Sequence, residues 1–524
     1  MSLNTTLTLS VVEHPYHHAT DQGREYYDGI VNFLDSKENH SMELSGLERE
    51  LEKRGRELMR ILLQEHLNKL SPSCCEQAVC GSDGIDRPNV RPHDRKIETV
   101  FGTVSTSRAG YGNEGVASLH PLDAQLNLPS ERYSLELRRR VAENAAKCSF
   151  DETLATIDKT TGAHVPKRQV EELTQRAARD FDAFYETRQY TPTCETTTGP
   201  ILVMTADGKG VVMHEQDLRE QTRKAAKKRR PQMETRLSKG EKKNAKRMAT
   251  VAAVYTIDTF KRTPQDLLPG NNKTQKEKSP RPEQKRVWAS LEKSAEQVIE
   301  SAFSEASHRD PRQKKHWVAL VDGENQQLRI LGRMAKKQGV DLTIIVDIIH
   351  VIEYLWKAGR VFYPKSGPEL EEWVQHRLLK ILEGKAGLMA GGMRRSATLK
   401  KFTDKQRKPV DTCATYLKNK APYLKYHHYL DLGFPIATGV IEGACRHLVK
   451  DRMDITGAKW RLTSAEAVLR LRALRSSNDF EEYWDFHEAC EHKRNHQALY
   501  QNSEVPPTKL PQSSSKRGHL RVIK

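Results

Sequence analysis

ILVMTADGKG (201–210) is a run of apolar and β-prone residues that stops at Asp207. Two later stretches repeat the pattern, since HWVALVDGEN (316–325) reaches Asp322 and LTIIVDIIH (342–350) reaches Asp347. Side chains at the carboxyl ends of parallel strands meet in the crevice where α/β proteins place their ligands. The three stretches therefore predict a sheet with three carboxylates at one edge. Asp-Gly is also a favourable turn pair, and the alternative reading is that Asp207 merely begins a turn.

The composition of the 524 residues favours a polyanionic partner. Lys and Arg number 86 against 69 for Asp and Glu, a formal net charge of +17, and such an excess is typical of proteins that bind nucleic acid or an anionic membrane surface. No apolar segment approaches the ~20 residues needed to span a bilayer, and the N-terminus MSLNTTLTLSVVEHPYHH lacks the plan of a secretion signal. We therefore expect DNA as the partner, no membrane, and a cytoplasmic, nucleoid-associated protein.

The region before the first of these strands predicts elements that bind DNA. KIETVFGTVSTSRAGYG (96–112) has the β-prone composition of a hairpin around a glycine. SFDETLATIDKTTGAHVPKRQVEELTQRAA (149–178) predicts a helix, a short turn and a second helix. Pro166 lies near the start of the second helix, with Lys167 and Arg168 at the end that a recognition helix presents to DNA. An ordinary helical hairpin is the alternative.

A fourth carboxylate belongs to a helical stretch near the C-terminus. ATGVIEGACRHLVKDRMDITGAKWRL (437–462) predicts a helix that carries Glu442. Carboxylates that converge repel one another unless a cation neutralises them, and Mg²⁺ or Mn²⁺ is the hard cation that oxygen ligands favour. Two such ions cleave phosphodiesters by activating the attacking oxygen and stabilising the leaving one. The basic side chains predicted to contact phosphates around these acids are Lys209, Arg446, Lys450 and Arg452.

Four motifs together resemble a known family. TADGKG, VALVDGEN, IVDIIHVIEYLW and GVIEGACRHLVKDRMDITGAKW, in that order, resemble the prokaryotic insertion-sequence transposases of the Mutator-like superfamily, most closely the Kra-type group. The resemblance implies a ribonuclease-H-like core with an Asp-Asp-Glu metal triad, interrupted by a helical insertion before the Glu. On these motifs the triad is Asp207, Asp322 and Glu442. Asp347 and His350 match a separate supporting Asp-x-x-His element, and Asp347 is the alternative second acid.

The sequence thus predicts a multidomain α/β protein. Two basic stretches, 219–247 and 271–286, are predicted to be exposed, partly disordered arms. The predicted domains are 1–95, a helical N-terminal region; 96–190, the hairpin and a helix-turn-helix-like DNA-binding region; 198–358, the first part of the ribonuclease-H-like core; 359–434, a helical insertion; 435–500, the last part of the core; and 501–524, a loose basic tail.

The function that follows is that of a DNA transposase of a mobile element. We expect it to bind terminal inverted repeats and target DNA, and to cut and join strands with about two divalent metal ions. Two element ends must be paired, so a homo-oligomer is expected. The alternatives are a domesticated DNA-binding protein without chemistry and a ribonuclease-H-like nuclease without strand transfer.

The C-terminal stretch WDFHEACEHKRNHQ (484–497) holds three histidines and a cysteine. This composition suggests a zinc site, but the spacing spreads the side chains over different faces of a helix. The sequence therefore favours a solvated helix there.

Overall fold

The computed structural model describes residues 21–71, 73–76, 78–188, 198–228, 233, 235–236, 244–268, 278–455 and 457–509. The chain forms two compact units, the first made of Met1–Asp180 and Trp484–Lys524 and the second of Phe181–Tyr483. Within the described ranges, no helix combines the length and the apolar character needed to cross a membrane.

The first unit combines helices with two small antiparallel sheets. Its elements before the second unit are α1 (Asp21–Asp35), α2 (Leu44–Leu70), β1 (Val79–Cys80), β2 (Asp86–Arg87), β3 (Asn89–Thr99), β4 (Gly102–Gly112), α3 (Pro121–Gln125), α4 (Leu135–Lys147), α5 (Phe150–Thr160) and α6 (Lys167–Ala177). Strands β3 and β4 pair along their whole length. The predicted hairpin is confirmed, although it begins at Asn89 rather than at position 96.

Helices α4, α5 and α6 pack around a small apolar core that includes Val141, Ile157 and Val170, all fully buried. The sequence sets the start of α5, because the Ser149 hydroxyl accepts the N–H of Glu152 and the Glu152 carboxylate accepts the N–H of Ser149. The predicted succession of helix, turn and helix is confirmed at 150–177.

The second unit is a mixed sheet covered by helices. Its elements are α7 (Phe181–Thr187), β5 (Ile201–Val212), α8 (Glu220–Lys228), β6 (Lys246–Ile257), β7 (Glu283–Ser290), α9 (Ala295–Arg309), β8 (His316–Val321), α10 (Asn325–Gln338), β9 (Leu342–Val346), α11 (Ile348–Phe362), α12 (Pro368–Leu382), α13 (Ala386–Leu399), α14 (Asp404–Lys420), α15 (Tyr426–Asp431), α16 (Gly439–Ala444), a π-helical turn (Cys445–Lys450), α17 (Asp451–Met453), α18 (Leu462–Ser477) and the start of α19 (Phe480–Asn495).

The strands of this sheet lie in the order β7-β6-β5-β8-β9. Strands β5, β6 and β7 are antiparallel neighbours, whereas β8 and β9 run parallel to β5. The mixed α/β class is thus confirmed. Strand β7 was missed, because its first residues, EQKR, belong to the stretch 271–286 that was interpreted as an arm. Parts of both predicted arms, 229–232, 237–243 and 271–277, lie outside the described residues.

The segment 368–431 is helical throughout its length apart from short turns. Its buried side chains, such as Leu378 and Leu417, belong to the same apolar cluster as Val203 and Val318 of the sheet. These helices therefore share a core with the strands. The cluster is continuous because α11, which leaves β9, packs against α12 and α14.

The C-terminal helix α19 crosses from the second unit into the first at Trp484. The predicted boundary placed 435–500 in the catalytic core, and the two compact units divide this range differently. After α19, the backbone of Lys509 pairs with that of Cys74 in the first unit, so the predicted loose tail is anchored at least that far. Residues 510–524 lie outside the described residues.

Candidate active site

Strand register brings the three aspartates of the sheet to one level. Strand β5 pairs in parallel with β8 up to Leu320, and β8 pairs with β9 up to Val321. Continued by one or two residues, the same registers place Asp207, Asp322 and Asp347 side by side on neighbouring strands. Neighbouring strands lie roughly 4.8 Å apart. The registers therefore place one aspartate at or just beyond the end of parallel pairing for each of β5, β8 and β9.

Asp207 lies inside β5 rather than at its end. The strand continues to Val212, and Asp207 pairs with Val251 of the antiparallel neighbour β6. The prediction of a strand end at Asp207, and the alternative of a turn there, are both wrong. The reason is that β8 stops pairing with β5 before Asp207, whereas β6 does not. One side of β5 is thus left open beside Asp207, which is half-buried.

The Asp207 carboxylate is held by two neighbours. Its Oδ1 accepts the backbone N–H of Gly208 at 2.6 Å, and its Oδ2 accepts the thiol of Cys445 at 3.3 Å. Burial, followed by the nearby Asp207 carboxylate, raises the pKa of the Cys445 thiol far above its usual range. The thiol therefore stays protonated and acts as a donor. The sequence prediction missed Cys445, whose only sequence signal is its position one turn after Glu442.

Asp322 is the first residue after β8 and is half-buried. Its Oδ1 accepts the backbone N–H of Glu324 at 2.9 Å, which closes a short turn before α10. Its backbone carbonyl accepts the hydroxyl of Tyr416 at 3.0 Å. Asp322 also lines a cavity of about 810 Å³ together with His350 and Lys420. The carboxylate therefore faces an open, polar space.

Asp347 has a different environment, because it is fully buried. Its Oδ1 caps α11 by accepting the N–H of Ile349 at 2.8 Å. Its Oδ2 accepts the backbone N–H of Thr438 at 3.2 Å and also the Thr438 hydroxyl. Both oxygens thus bind groups of the protein. Asp347 ties the end of β9 to the residue that precedes α16.

Glu442 lies on α16 and is exposed to solvent. The contact between Cys445 and Asp207 places the helix that carries Glu442 against β5. A π-helical turn follows directly, from Cys445 to Lys450, and such turns are frequent at functional sites. Among the described residues, Asp207, Asp322 and Glu442 take part in no recorded ion pair, although the chain is strongly basic.

The basic residues predicted to contact DNA near these acids differ in exposure. Arg446 and Lys450 are exposed, and Arg446 lies 3.6 Å from Asp451. Lys209 is half-buried on β5 and shares a strand face with Asp207. Arg452 is only 3% exposed, and its guanidinium lies 4.8 Å from the ring centre of Trp460. The prediction of a DNA contact is therefore wrong for Arg452 in this conformation, since the fold turns this side chain into the core.

In the first unit, Lys167 and Arg168 both lie exposed at the start of α6, as predicted. Lys167 pairs with Asp151 at 2.8 Å and Arg168 with Glu172 at 3.0 Å. These pairs are solvent-exposed and therefore weak. Both cations remain accessible to a phosphate group.

Three carboxylates are a donor set that Mg²⁺ prefers. In the described chain, Asp180, His487 and Glu491 form a group whose ligand atoms all lie within 4.8 Å of one another. This group is different from the predicted set of Asp207, Asp322 and Glu442. In that group, Arg138 donates to Glu491 at 2.8 Å and lies 3.0 Å from a His487 ring nitrogen. Arg494 pairs with both acids. These arginines make it a buried ion-pair network that is unsuited to a cation.

The same network corrects the interpretation of WDFHEACEHKRNHQ as a solvated helix. His487 is fully buried and Glu491 is 1% exposed, and both are held by Arg138 of α4, with His487 also bonded to Asp180. The sequence did not reveal this packing, since its ion-pair partners lie more than 300 positions away.

Comparison with known proteins adds little to this geometry. No protein-family model matches the chain, and no curated protein matches it. Among solved structures, it is similar to a chain of the Drosophila P element transposase strand transfer complex, with 8% sequence identity, covering 70% of this chain and 82% of that one. The TM-score is 0.24, a value too low to establish a common fold.

Proposed function

We propose that the protein is a DNA transposase, a polynucleotidyl transferase whose catalytic centre lies at the acidic edge of the second unit. The observation that carries this proposal is the placement of Asp207, Asp322 and Glu442. All three are at least partly exposed beside the same sheet edge, and no ion pair is recorded for them among the described residues. Acids kept free of cationic partners in a chain of net charge +17 are suited to hold divalent ions.

In this proposal, Asp207, Asp322 and Glu442 hold Mg²⁺ or Mn²⁺. When bound, two such ions activate the attacking oxygen and stabilise the leaving oxygen of a phosphodiester. The protein's own groups prepare the site: Cys445 orients the Asp207 carboxylate, and Asp347 fixes the start of the helix that carries Glu442. Lys209, Arg446 and Lys450 lie close enough in the chain to these acids to contact the phosphates on either side.

The architecture supports a ribonuclease-H-like core of the kind that the motif resemblance implies. Its sheet is mixed, and its central strand β5 carries the first acid of the proposed triad. Along the chain, helices α12–α15 lie between Asp322 and Glu442, where the resemblance implies an insertion. The resemblance also implies that the three-helix region with Lys167 and Arg168 binds the element's terminal inverted repeats.

The test is metal-dependent cleavage of a DNA fragment that carries the gene's own flanking sequences. We expect Asp207→Asn, Asp322→Asn and Glu442→Gln each to lower the cleavage rate by at least the roughly 10–100-fold that loss of an outer-shell partner of a metal site costs, because ligands to the metal ions are lost. Binding to the same fragment should be retained. Asp341→Asn is the matched control, since Asp341 is exposed at the opposite end of β9, and it should cleave like the wild type.

The products of this assay separate the alternatives. Joined strands support a transposase, whereas cleavage without joining favours a nuclease. Wild-type protein that binds the fragment but never cleaves it, with any divalent ion, would contradict the proposal and favour a domesticated DNA-binding protein.

A further inference from the structure

Several helices of this protein end with one and the same backbone closure. The residue at the C-cap, or directly after it, donates its N–H to the carbonyl three positions earlier, and the next residue donates to the carbonyl five positions before it. The first of these residues must adopt a left-handed backbone, which glycine and asparagine tolerate best. The residues at this position are Asn127 after α3, Gly339 after α10, Gly384 after α12, Gly433 after α15 and Asn478 after α18.

Helix α13 has the same closure but places a lysine there. Lys401 donates its N–H to Thr398 at 3.0 Å, and Phe402 donates to Ala397 at 3.3 Å. The φ angle of Lys401 is 53°, in a region that a residue with a Cβ occupies at a steric cost. Within the described ranges, Lys401 is the one charged residue with such a backbone. A strained residue that persists where glycine would fit suggests that its side chain is needed.

A cation near a helix C-terminus also interacts favourably with the helix dipole. That effect does not explain a charge at this position. Helix α10 ends with Lys336 and Lys337 in its last turn and still has Gly339 at the left-handed residue. In α13, Lys400 already occupies the C-cap.

Lys401 lies among other exposed cations. We name the set the basic corner, and its members are Arg395, Lys400, Lys401, Lys405 and Lys408. None of the ion pairs recorded in the described chain involves any of them. Lys408 also lines the cavity of about 810 Å³ that contains Asp322. The basic corner therefore adjoins the candidate active site.

We propose that the basic corner binds the phosphate backbone of the DNA duplex that the candidate active site cleaves, with Lys401 as a direct contact. This inference rests on the proposed function. Exposed cations without a carboxylate partner can contact the phosphates of a duplex, and such contacts carry no information on base sequence. Binding at the basic corner would hold the duplex in place beside Asp322.

Lys401→Gly is the decisive substitution, because it removes the charge and relieves the backbone. Affinity for a duplex fragment is measured by fluorescence anisotropy at several salt concentrations, and thermal stability is measured in parallel. We expect Lys401→Gly to weaken binding about eightfold at roughly 0.1 M salt, since each phosphate contact contributes about 0.9 to the slope of log K against log salt. The melting temperature should be unchanged or higher.

Two controls separate this contact from a general loss of charge. Lys401→Arg should bind DNA like the wild type. Lys336→Ala removes an exposed lysine from the last turn of α10 and should leave affinity unchanged. Wild-type affinity in Lys401→Gly, or a loss equal to that of Lys336→Ala, would overturn the inference, and a lower melting temperature would overturn the strain argument.

Asp322→Asn distinguishes failure of this inference from failure of the proposed function. If Asp322→Asn abolishes cleavage while Lys401→Gly binds DNA normally, the catalytic proposal stands and the basic corner does not contact DNA. If the wild type binds no DNA, both proposals fail.

Discussion

Asp322 and Asp347 directly follow adjacent strands at the same level, and the structure predicts different consequences when each is replaced. Asp347 is fully buried, and its carboxylate accepts the N–H of Ile349 together with the N–H and hydroxyl of Thr438. Asp322 is half-buried, and its carboxylate accepts one N–H, from Glu324. We therefore predict that Asp347→Ala mainly lowers stability and that Asp322→Ala mainly lowers activity.

The magnitudes follow from the hydrogen bonds that each substitution removes. In Asp347→Ala, loss of the helix cap costs about 1 kcal/mol. The two donors of Thr438 lose their acceptor in a buried place, and each costs about 1–3 kcal/mol. These terms are not additive, so we expect a total of about 4 kcal/mol. In Asp322→Ala, water replaces the acceptor for one accessible N–H, and the free energy of unfolding should change by less than about 1 kcal/mol.

The assay is urea unfolding followed by tryptophan fluorescence, combined with metal-dependent DNA cleavage at a temperature where both variants are folded. Thr438→Val is the matched control for Asp347, because it removes the hydroxyl donor but keeps the backbone N–H. It should cost about 1 kcal/mol and leave cleavage intact. A stable but inactive Asp347→Ala, beside an active Asp322→Ala, would refute this reasoning and make Asp347 the metal ligand.

Three further predictions concern groups whose environment the fold has altered. Burial lowers the pKa of His120 from 6.5 to about 4. Between these two pH values, His120 binds a proton in the unfolded chain but not in the folded chain. The first unit should lose about 1 kcal/mol between pH 7 and pH 5, because partial exposure of the imidazole to solvent reduces the full effect of the shift, and unfolding of His120→Asn at both pH values checks this. Cys445 should resist alkylation by iodoacetamide at pH 9, because burial and Asp207 raise the pKa of its thiol; mass spectrometry measures this, with the exposed Cys74 as the internal reference. The same shift means that stability falls as the pH rises above the ordinary thiol value. Arg452→Ala should destabilise the protein, whereas Lys450→Ala should weaken DNA binding at unchanged stability, since Arg452 is buried and Lys450 is exposed.

The features that the sequence predicted correctly depend on local patterns. The hairpin of β3 and β4, the helices flanking 161–166 and the apolar strands before Asp322 and Asp347 are each encoded within about a dozen neighbouring residues. Their composition, capping residues and breaks are sufficient for the prediction. Strand β7 was not predicted, because it lies at the edge of the sheet, where charged residues are tolerated on the open side.

The features that the sequence did not predict depend on distant partners. Asp207 continues a strand because β6, some 40 positions later, pairs with it, while β8 does not. The burial of Arg452 on Trp460 and of His487 beside Arg138 also follows from tertiary packing. A helical or strand period shows which residues share a face, but it does not show what covers that face.

The choice between Asp322 and Asp347 can nevertheless be read from the residues that follow each of them. In VDGEN, the helix does not start until Asn325, and Glu324 is its N-cap. Asp322 is thus left in the turn, and its Oδ1 accepts the N–H of the N-cap residue Glu324. In VDIIH, the helix starts at once with Ile348, so Asp347 is itself the N-cap and its carboxylate turns inward. A strand followed by Asp-Gly therefore favours an exposed carboxylate, whereas a strand followed by Asp and an apolar residue favours a structural cap. This distinction makes Asp322 the better candidate for the second metal ligand, with Asp347 as the residue that positions the helix of the third.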